Sequence, residues 1–328
     1  MSALGRLPRA LSTLGRTSSQ HLSRSITTTP VAHRRVPHER VAIVTGAARG
    51  IGRAIALRLA QDGYHITASD LPALQPQLDT LVSEINNINS DASSPVPVRA
   101  HALPADVTSP EQVAALVRSS ADTLGPLDTM VANAGIAQVK PLLDLTPEDF
   151  RRMLDVNVTG VHHCFQAAAK QIIAQSGGGQ NGTETESGGD SPIRGRLIAA
   201  ASIVAFKPFA LLGHYSASKW AVRGLSQVYA MELAKHRITV NAYAPGIVDT
   251  AMWELIDQGL GEKATAESEG RRQVAKGEMI KKYSDELIAL GRTSVSEDVA
   301  KLVSFLASPD ADYVTGQTMV VDGGIIFT

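Results

Sequence analysis

One cysteine, Cys164, stands in 328 residues, so no intramolecular disulfide framework exists and the chain suits a reducing compartment. Cys164 itself reads as a helix packing residue. The sequence contains no run near the roughly 18 apolar residues of a membrane span. A formal net charge of −1 gives no basic field of the kind that holds nucleic acid. His162 and His163 lack the further ligands of a metal site, read as helix residues, and leave no catalytic metal expected. Acidic residues are missing from the first 38 positions, which carry Arg6, Arg9, Arg16, Arg24, Arg34 and Arg35. With Leu4, Leu7, Leu11 and Leu14 at helical spacing among Ser and Thr, residues 1–38 have the profile of a mitochondrial transit peptide. The alternative is a disordered leader on a cytoplasmic protein.

What is present is a chain 44% hydrophobic and 19% charged, enough for a substantial core. From residue 39 onward short apolar runs alternate with longer amphipathic stretches: VAIVT, HITAS, VRAHA, DTMVA, RLIAAA, ITVNAY and TMVVDGG mark seven strands. That rhythm implies βαβ units and an α/β fold, a single doubly wound Rossmann domain over 39–328 with a seven-stranded parallel sheet. Ser109-Pro110 and Thr146-Pro147, each followed by acidic or amide residues, mark helix starts. Two stretches break the rhythm. Residues 176–195, rich in Gly, Ser and Thr, read as a mobile surface insertion, and residues 252–291 as a helical cap over a substrate pocket.

The first strand runs into TGAARGIG, where Gly46, Gly50 and Gly52 open a helix. Glycines there admit a pyrophosphate to the backbone, and the helix start offers unpaired N–H groups and a positive dipole end. Asp70 ends the second strand, 18 residues beyond Gly52. A carboxylate there accepts hydrogen bonds from an adenosine ribose and repels a 2′-phosphate, which favours NAD (NADH) over NADP; Arg49 in the glycine loop is the counter-signal. Downstream, Tyr215 precedes Lys219 by four residues. On a helix the two share a face, and a neighbouring ammonium is expected to lower the phenol toward a working proton donor and acceptor.

These motifs come in a fixed order: TGAARGIG, ADV at Asp106, ANAG from Asn133 to Gly135, DVNVTG at Asn157, Ser202, YSASK, PGIVDT and DGG. In this the chain resembles the short-chain dehydrogenase/reductase family from about Arg40 to its end. The resemblance implies an NAD-dependent oxidoreductase with catalytic positions Asn157, Ser202, Tyr215 and Lys219. Tyr215 would exchange the proton, Ser202 would donate to the developing oxyanion, Lys219 would hold the nicotinamide ribose, and Asn157 would bend its helix and anchor a water relaying protons to Lys219. It implies further cofactor contacts at Gly46, Arg49, Gly50, Ile51, Gly52, Asp70, Asp106, Val107, Asn133, Gly135, Pro245, Gly246, Ile247 and Thr250. Family members ending in a strand and DGG commonly form homotetramers, so Val320 to Thr328 reads as subunit interface.

Within the family the chain is most similar to acetoin and diacetyl reductases, also called 2,3-butanediol dehydrogenases, through NAGIAQVKPLL, PGIVDTAMWELID and LASPDADYVTGQTMVVDGG. That likeness implies a small ketone or diketone substrate held by Ser202 and Tyr215, with Gln138 donating to a second oxygen and Trp253 closing an apolar wall. Polyol dehydrogenases and 3-oxoacyl-thioester reductases share the same core and remain alternatives. A non-catalytic dinucleotide sensor or scaffold would not need the complete Asn-Ser-Tyr-Lys set.

Overall fold

A computed structural model describes residues 40–88, 97–176, 193–268 and 273–328. The leader at 1–38 and nearly all of the insertion at 176–195 lie outside the described residues. One compact unit spans Glu39–Thr328. Its strands are β1 (Arg40–Thr45), β2 (Tyr64–Ser69), β3 (Ala100–Ala102), β4 (Leu127–Ala132), β5 (Gly195–Ala200), β6 (Ile238–Pro245) and β7 (Thr318–Val321). All pair in parallel, in the order β3-β2-β1-β4-β5-β6-β7. The seven strands expected from the apolar runs are therefore all present, although β3 is only three residues long.

The helices are α1 (Gly50–Gln61), α2 (Gln75–Ile88), α3 (Pro110–Leu124), α4 (Pro147–Leu154), α5 (Gly160–Gln175), α6 (Gly213–Leu233), α7 (Ala251–Glu267), α8 (Glu278–Leu287) and α9 (Ser296–Ala307). Side-chain alternation along the strands sorts the core into two layers. In β1, Val41 and Ile43 pack toward Phe165, Ile172 and Val222 of α5 and α6. Ala42 and Val44 of the same strand pack toward Ile55, Leu59 and Val303 of α1 and α9. Both faces of the sheet are thus covered, as burial of a parallel sheet requires. Ser109 caps α3 by accepting from the Gln112 N–H, and Thr146 and Asp149 form a reciprocal capping box on α4, as their sequence signatures led one to expect.

Strand order reverses between β1 and β4, where one crossover feeds α1 and the next returns on the other side. The carboxyl ends of the strands diverge at that point and open a cleft, the usual ligand position of such sheets. The stretch 252–291 carries α7 and α8.

Candidate active site

A cleft of about 1550 Å³ runs along the carboxyl ends of the strands. Its floor begins at the β1–α1 turn, where Gly46, Arg49, Gly50, Ile51 and Gly52 line it. A Cβ at Gly52 would stand 2.1 Å from the Gly46 carbonyl oxygen and 2.5 Å from Asn133 Nδ2, so only glycine permits this turn. Arg49 occupies the N-cap of α1 in extended conformation and gives no side-chain cap, so among the described residues the first N–H groups of the helix face the cleft without side-chain partners. Donors so arranged fit the pyrophosphate of a dinucleotide.

Asp70, just past the end of β2, stands beside this turn. Its carboxylate accepts from the Ala48 N–H at 3.1 Å and the Leu71 N–H at 2.9 Å, and it borders the cleft beside Asp106 and Val107. Asp106 turns the chain by accepting from the Thr108 N–H and hydroxyl. Asn133 lies under the glycine loop with its side chain fully engaged: Nδ2 donates to the Thr45 and Gly46 carbonyls, and Oδ1 accepts from the Tyr243 hydroxyl. Gly135, Pro245, Gly246, Ile247 and Thr250 line the cleft further along. These residues fit a nicotinamide dinucleotide.

At the other end Ser202, Tyr215 and Lys219 enter the cleft together. Ser202 follows β5, and its hydroxyl caps a short 3-10 turn by accepting from the Val204 N–H. Tyr215 and Lys219 sit one turn apart on α6, both buried. Burial pushes the Tyr215 phenol up to about 12, an effect that a hydrogen bond with Ser202 partly offsets. Burial also pulls the Lys219 ammonium down to about 8. The expectation that Lys219 lowers Tyr215 is therefore corrected for the protein alone. Lys219 Nζ lies 5.6 Å from the Tyr215 ring centre and donates to the Ala200 carbonyl at 2.7 Å, so burial dominates the phenol. The phenol is thus protonated at neutral pH and holds the proton that a reduction would take up, while burial makes it a weaker acid than a free phenol.

Two sequence-derived site residues do not reach the cleft. Asn157 is fully buried at the centre of a π-turn, Asp155–Thr159, between α4 and α5, so the expected irregularity in the helix is present. Its side chain is closed within the protein, accepting from the Ile136 N–H and donating to the Ile136 carbonyl, Met153 Sδ and Ser218 Oγ. Gln138 is the clearer correction, because Nε2 donates to Asp149 Oδ1 at 3.0 Å and Oε1 meets His214 Nε2 at 2.9 Å. It does not line the cleft, and these two partners turn its amide toward α4 and α6 rather than toward a second substrate oxygen.

Trp253, by contrast, borders the cleft on α7. Sequence reasoning missed Phe209 and Tyr283, whose rings meet edge to face at 5.2 Å and which line the same end. It also missed Ile325 and Ile326. The signal for these lay in the DGG motif. Asp322 accepts from the Gly324 and Ile326 N–H groups, and both glycines adopt positive φ, so the tail folds back over the cleft.

Elsewhere, Cys164 is buried in the core and burial pushes its thiol up to about 12, as a packing residue requires. His162 and His163 lie on α5, where their Nδ1 atoms pair with the Tyr229 hydroxyl and the Val107 carbonyl. Among the described residues no cluster of metal-ligating side chains occurs, and no helix is long and apolar enough to cross a membrane.

A family model described as enoyl-(acyl carrier protein) reductase matches residues 46–326. The L-2,3-butanediol dehydrogenase of Corynebacterium glutamicum is 43% identical over 88% of this chain and 99% of its own. A diacetyl reductase, (S)-acetoin forming, of Staphylococcus epidermidis is 36% identical over 88% and 99%. Among solved structures, a blue fluorescent protein from a metagenomic library in complex with NADPH superimposes with a TM-score of 0.69 at 32% identity, covering 88% of this chain and 98% of that one. A short-chain dehydrogenase/reductase from Mycobacterium marinum gives 0.69 at 30%, over 88% and 96%.

Proposed function

The chain belongs to the short-chain dehydrogenase/reductase family, and from that premise we propose that this oxidoreductase interconverts a vicinal diketone or hydroxyketone and the corresponding secondary alcohol. One observation carries the reading: Ser202 and Tyr215 present their hydroxyls in the same cleft that the uncapped start of α1 enters. The cofactor, when bound, supplies or accepts the hydride. Tyr215, protonated at neutral pH in the protein alone, delivers the proton to the carbonyl oxygen. Ser202 donates to that oxygen as its charge develops. Lys219 holds the cofactor ribose, and Asn157 fixes the wall at Ile136. Support for the small substrate comes from the two relatives named for butanediol and diacetyl and from the apolar end of the cleft at Ile136, Phe209, Leu212 and Trp253.

The preferred cofactor in this proposal is NAD. Asp70 places a carboxylate at the adenosine end, where a 2′-phosphate would be repelled, whereas one solved relative holds NADPH and another, from Burkholderia cenocepacia, NADP. Diacetyl and acetoin should be reduced with NADH at higher kcat/KM than acetoacetyl thioesters or ketoses, and NADH should outperform NADPH. Preference for a thioester would overturn the substrate, and equal use of both cofactors would overturn the role of Asp70.

The same proposal places the protein in mitochondria as a homotetramer. Six arginines without an acid before Glu39 support import. Trp220, Val228 and Met231 stand exposed along α6, an apolar surface suited to a second copy. Residues 1–36 fused to a fluorescent protein should enter mitochondria and be processed. Diffuse fluorescence without a processed band would reject import, and a monomeric mass in solution would reject the tetramer.

A further inference from the structure

Residues 136–140, just after β4, form a strap across the cleft wall. Asn157 holds its first residue through both main-chain groups of Ile136, at 2.8 and 2.9 Å. Its last residue, Lys140, donates its N–H to the Leu211 carbonyl at 2.9 Å, immediately before α6. Leu211 itself adopts a left-handed φ of 67°, unusual for a branched residue. The middle of the strap is Gln138. Since its Nε2 faces the Asp149 carboxylate, its carbonyl end is the one presented to His214; the reverse orientation would set oxygen against oxygen. An acceptor there requires that His214 Nε2 carry the proton.

His214 is wholly buried and directly precedes Tyr215. Its Nδ1 is buried and meets no hydrogen-bond partner among the described residues. Burial, aided by Lys140 and opposed by Asp149, holds the imidazole below its ordinary pKa, so it is a neutral, single-tautomer donor. Asp149 is anchored in turn by the Lys140 ammonium at 2.7 Å and by the Thr146 N–H, which hold its carboxyl far below the usual range. A continuous chain, Asp149 to Gln138 to His214, therefore joins the start of α4 to the first turn of α6 through the cleft wall.

We propose that Gln138 and His214 are positioning residues: their hydrogen bond fixes the first turn of α6, and with it the Tyr215 hydroxyl, against the Ile136–Ala137 wall where the carbonyl must lie. An apolar pair would fill the same space without leaving a buried ring nitrogen unpartnered, and would lack a preferred direction. The inference rests on Tyr215 as the proton donor and not on the identity of the substrate.

The test uses Gln138→Leu, His214→Phe and the double variant in the full chain. NADH affinity is read by fluorescence titration, and single-turnover oxidation of bound NADH by stopped flow, with whichever carbonyl the wild type reduces fastest. A wrong substrate assignment is thus detected in the wild type and does not disturb the comparison. Each single variant should oxidise bound NADH ~10- to 100-fold more slowly, the scale expected for a misplaced reacting group, with NADH affinity within about twofold of wild type. The double variant should be no slower than the slower single one, as members of one chain act as a unit. Wild-type rates per bound NADH in Gln138→Leu would overturn the proposal, even if His214→Phe folds poorly. So would a loss confined to the number of NADH sites, which is the mark of a structural role alone.

Discussion

Tyr215→Phe is expected to lose about 10² to 10⁴ of wild-type turnover, the usual contribution of a general acid, while binding NADH within about twofold. The substitution removes one hydroxyl and leaves the ring packed with Met153, Val204 and Leu212, so the fold is not at risk. In the protein alone the phenol, pushed up to about 12, is protonated throughout the neutral range. Reduction, which needs a donor, should accordingly show little pH dependence from Tyr215 near neutrality, whereas oxidation, which needs the proton removed, should accelerate as pH rises. Steady-state rates in both directions with a cofactor titration check this. Retention of more than about a tenth of wild-type turnover would remove Tyr215 from the proton step.

Lys219→Met has the second large effect, and it divides between cofactor and fold. In the proposed role of Lys219, loss of a charge-assisted hydrogen bond to the ribose should weaken NADH binding by about 10- to 100-fold, from ~1.5–3 kcal/mol for such a bond. The cofactor-free fold should respond with the opposite sign. Burial lowers Lys219 from 10.5 to about 8, so below pH 8 the wild type carries an ammonium that is on the order of 3 kcal/mol better solvated in the unfolded chain. Between pH 8 and 10.5 the unfolded chain binds the extra proton, and wild-type stability contributed by this group rises. The thioether of the variant does not titrate. The Ala200 carbonyl loses its donor in the variant, at a cost independent of pH. The thermal midpoint of Lys219→Met relative to wild type should therefore be highest below pH 8 and fall as pH climbs to 10.5. A difference that is flat with pH would show that the buried ammonium is not the penalised group.

What the sequence determined by itself was the frame. Alternating apolar runs and capped amphipathic helices are local patterns, and each burial period can be satisfied in only one way once both faces of a parallel sheet must be covered. The glycine turn was legible for the same reason: Gly52 cannot carry a Cβ beside the Gly46 carbonyl, and that need is written in residue type. The placement of Tyr215 and Lys219 along one helix face also follows from their spacing, whereas Ser202 was singled out by the resemblance to the family. Tertiary structure decided what each polar group does there. Gln138, which the motif aims at substrate, meets Asp149 from α4 and His214 from α6, two partners far from each other in sequence. Lys219 bonds to a strand carbonyl, and Tyr215 is governed by burial rather than by the lysine one turn away. Ile325 and Ile326 enter the cleft because Asp322 folds the tail back. Hydrogen bonding and desolvation depend on every group within a few ångströms, whichever part of the chain supplies it. A linear pattern fixes which face a side chain occupies; only the packed fold fixes what it meets.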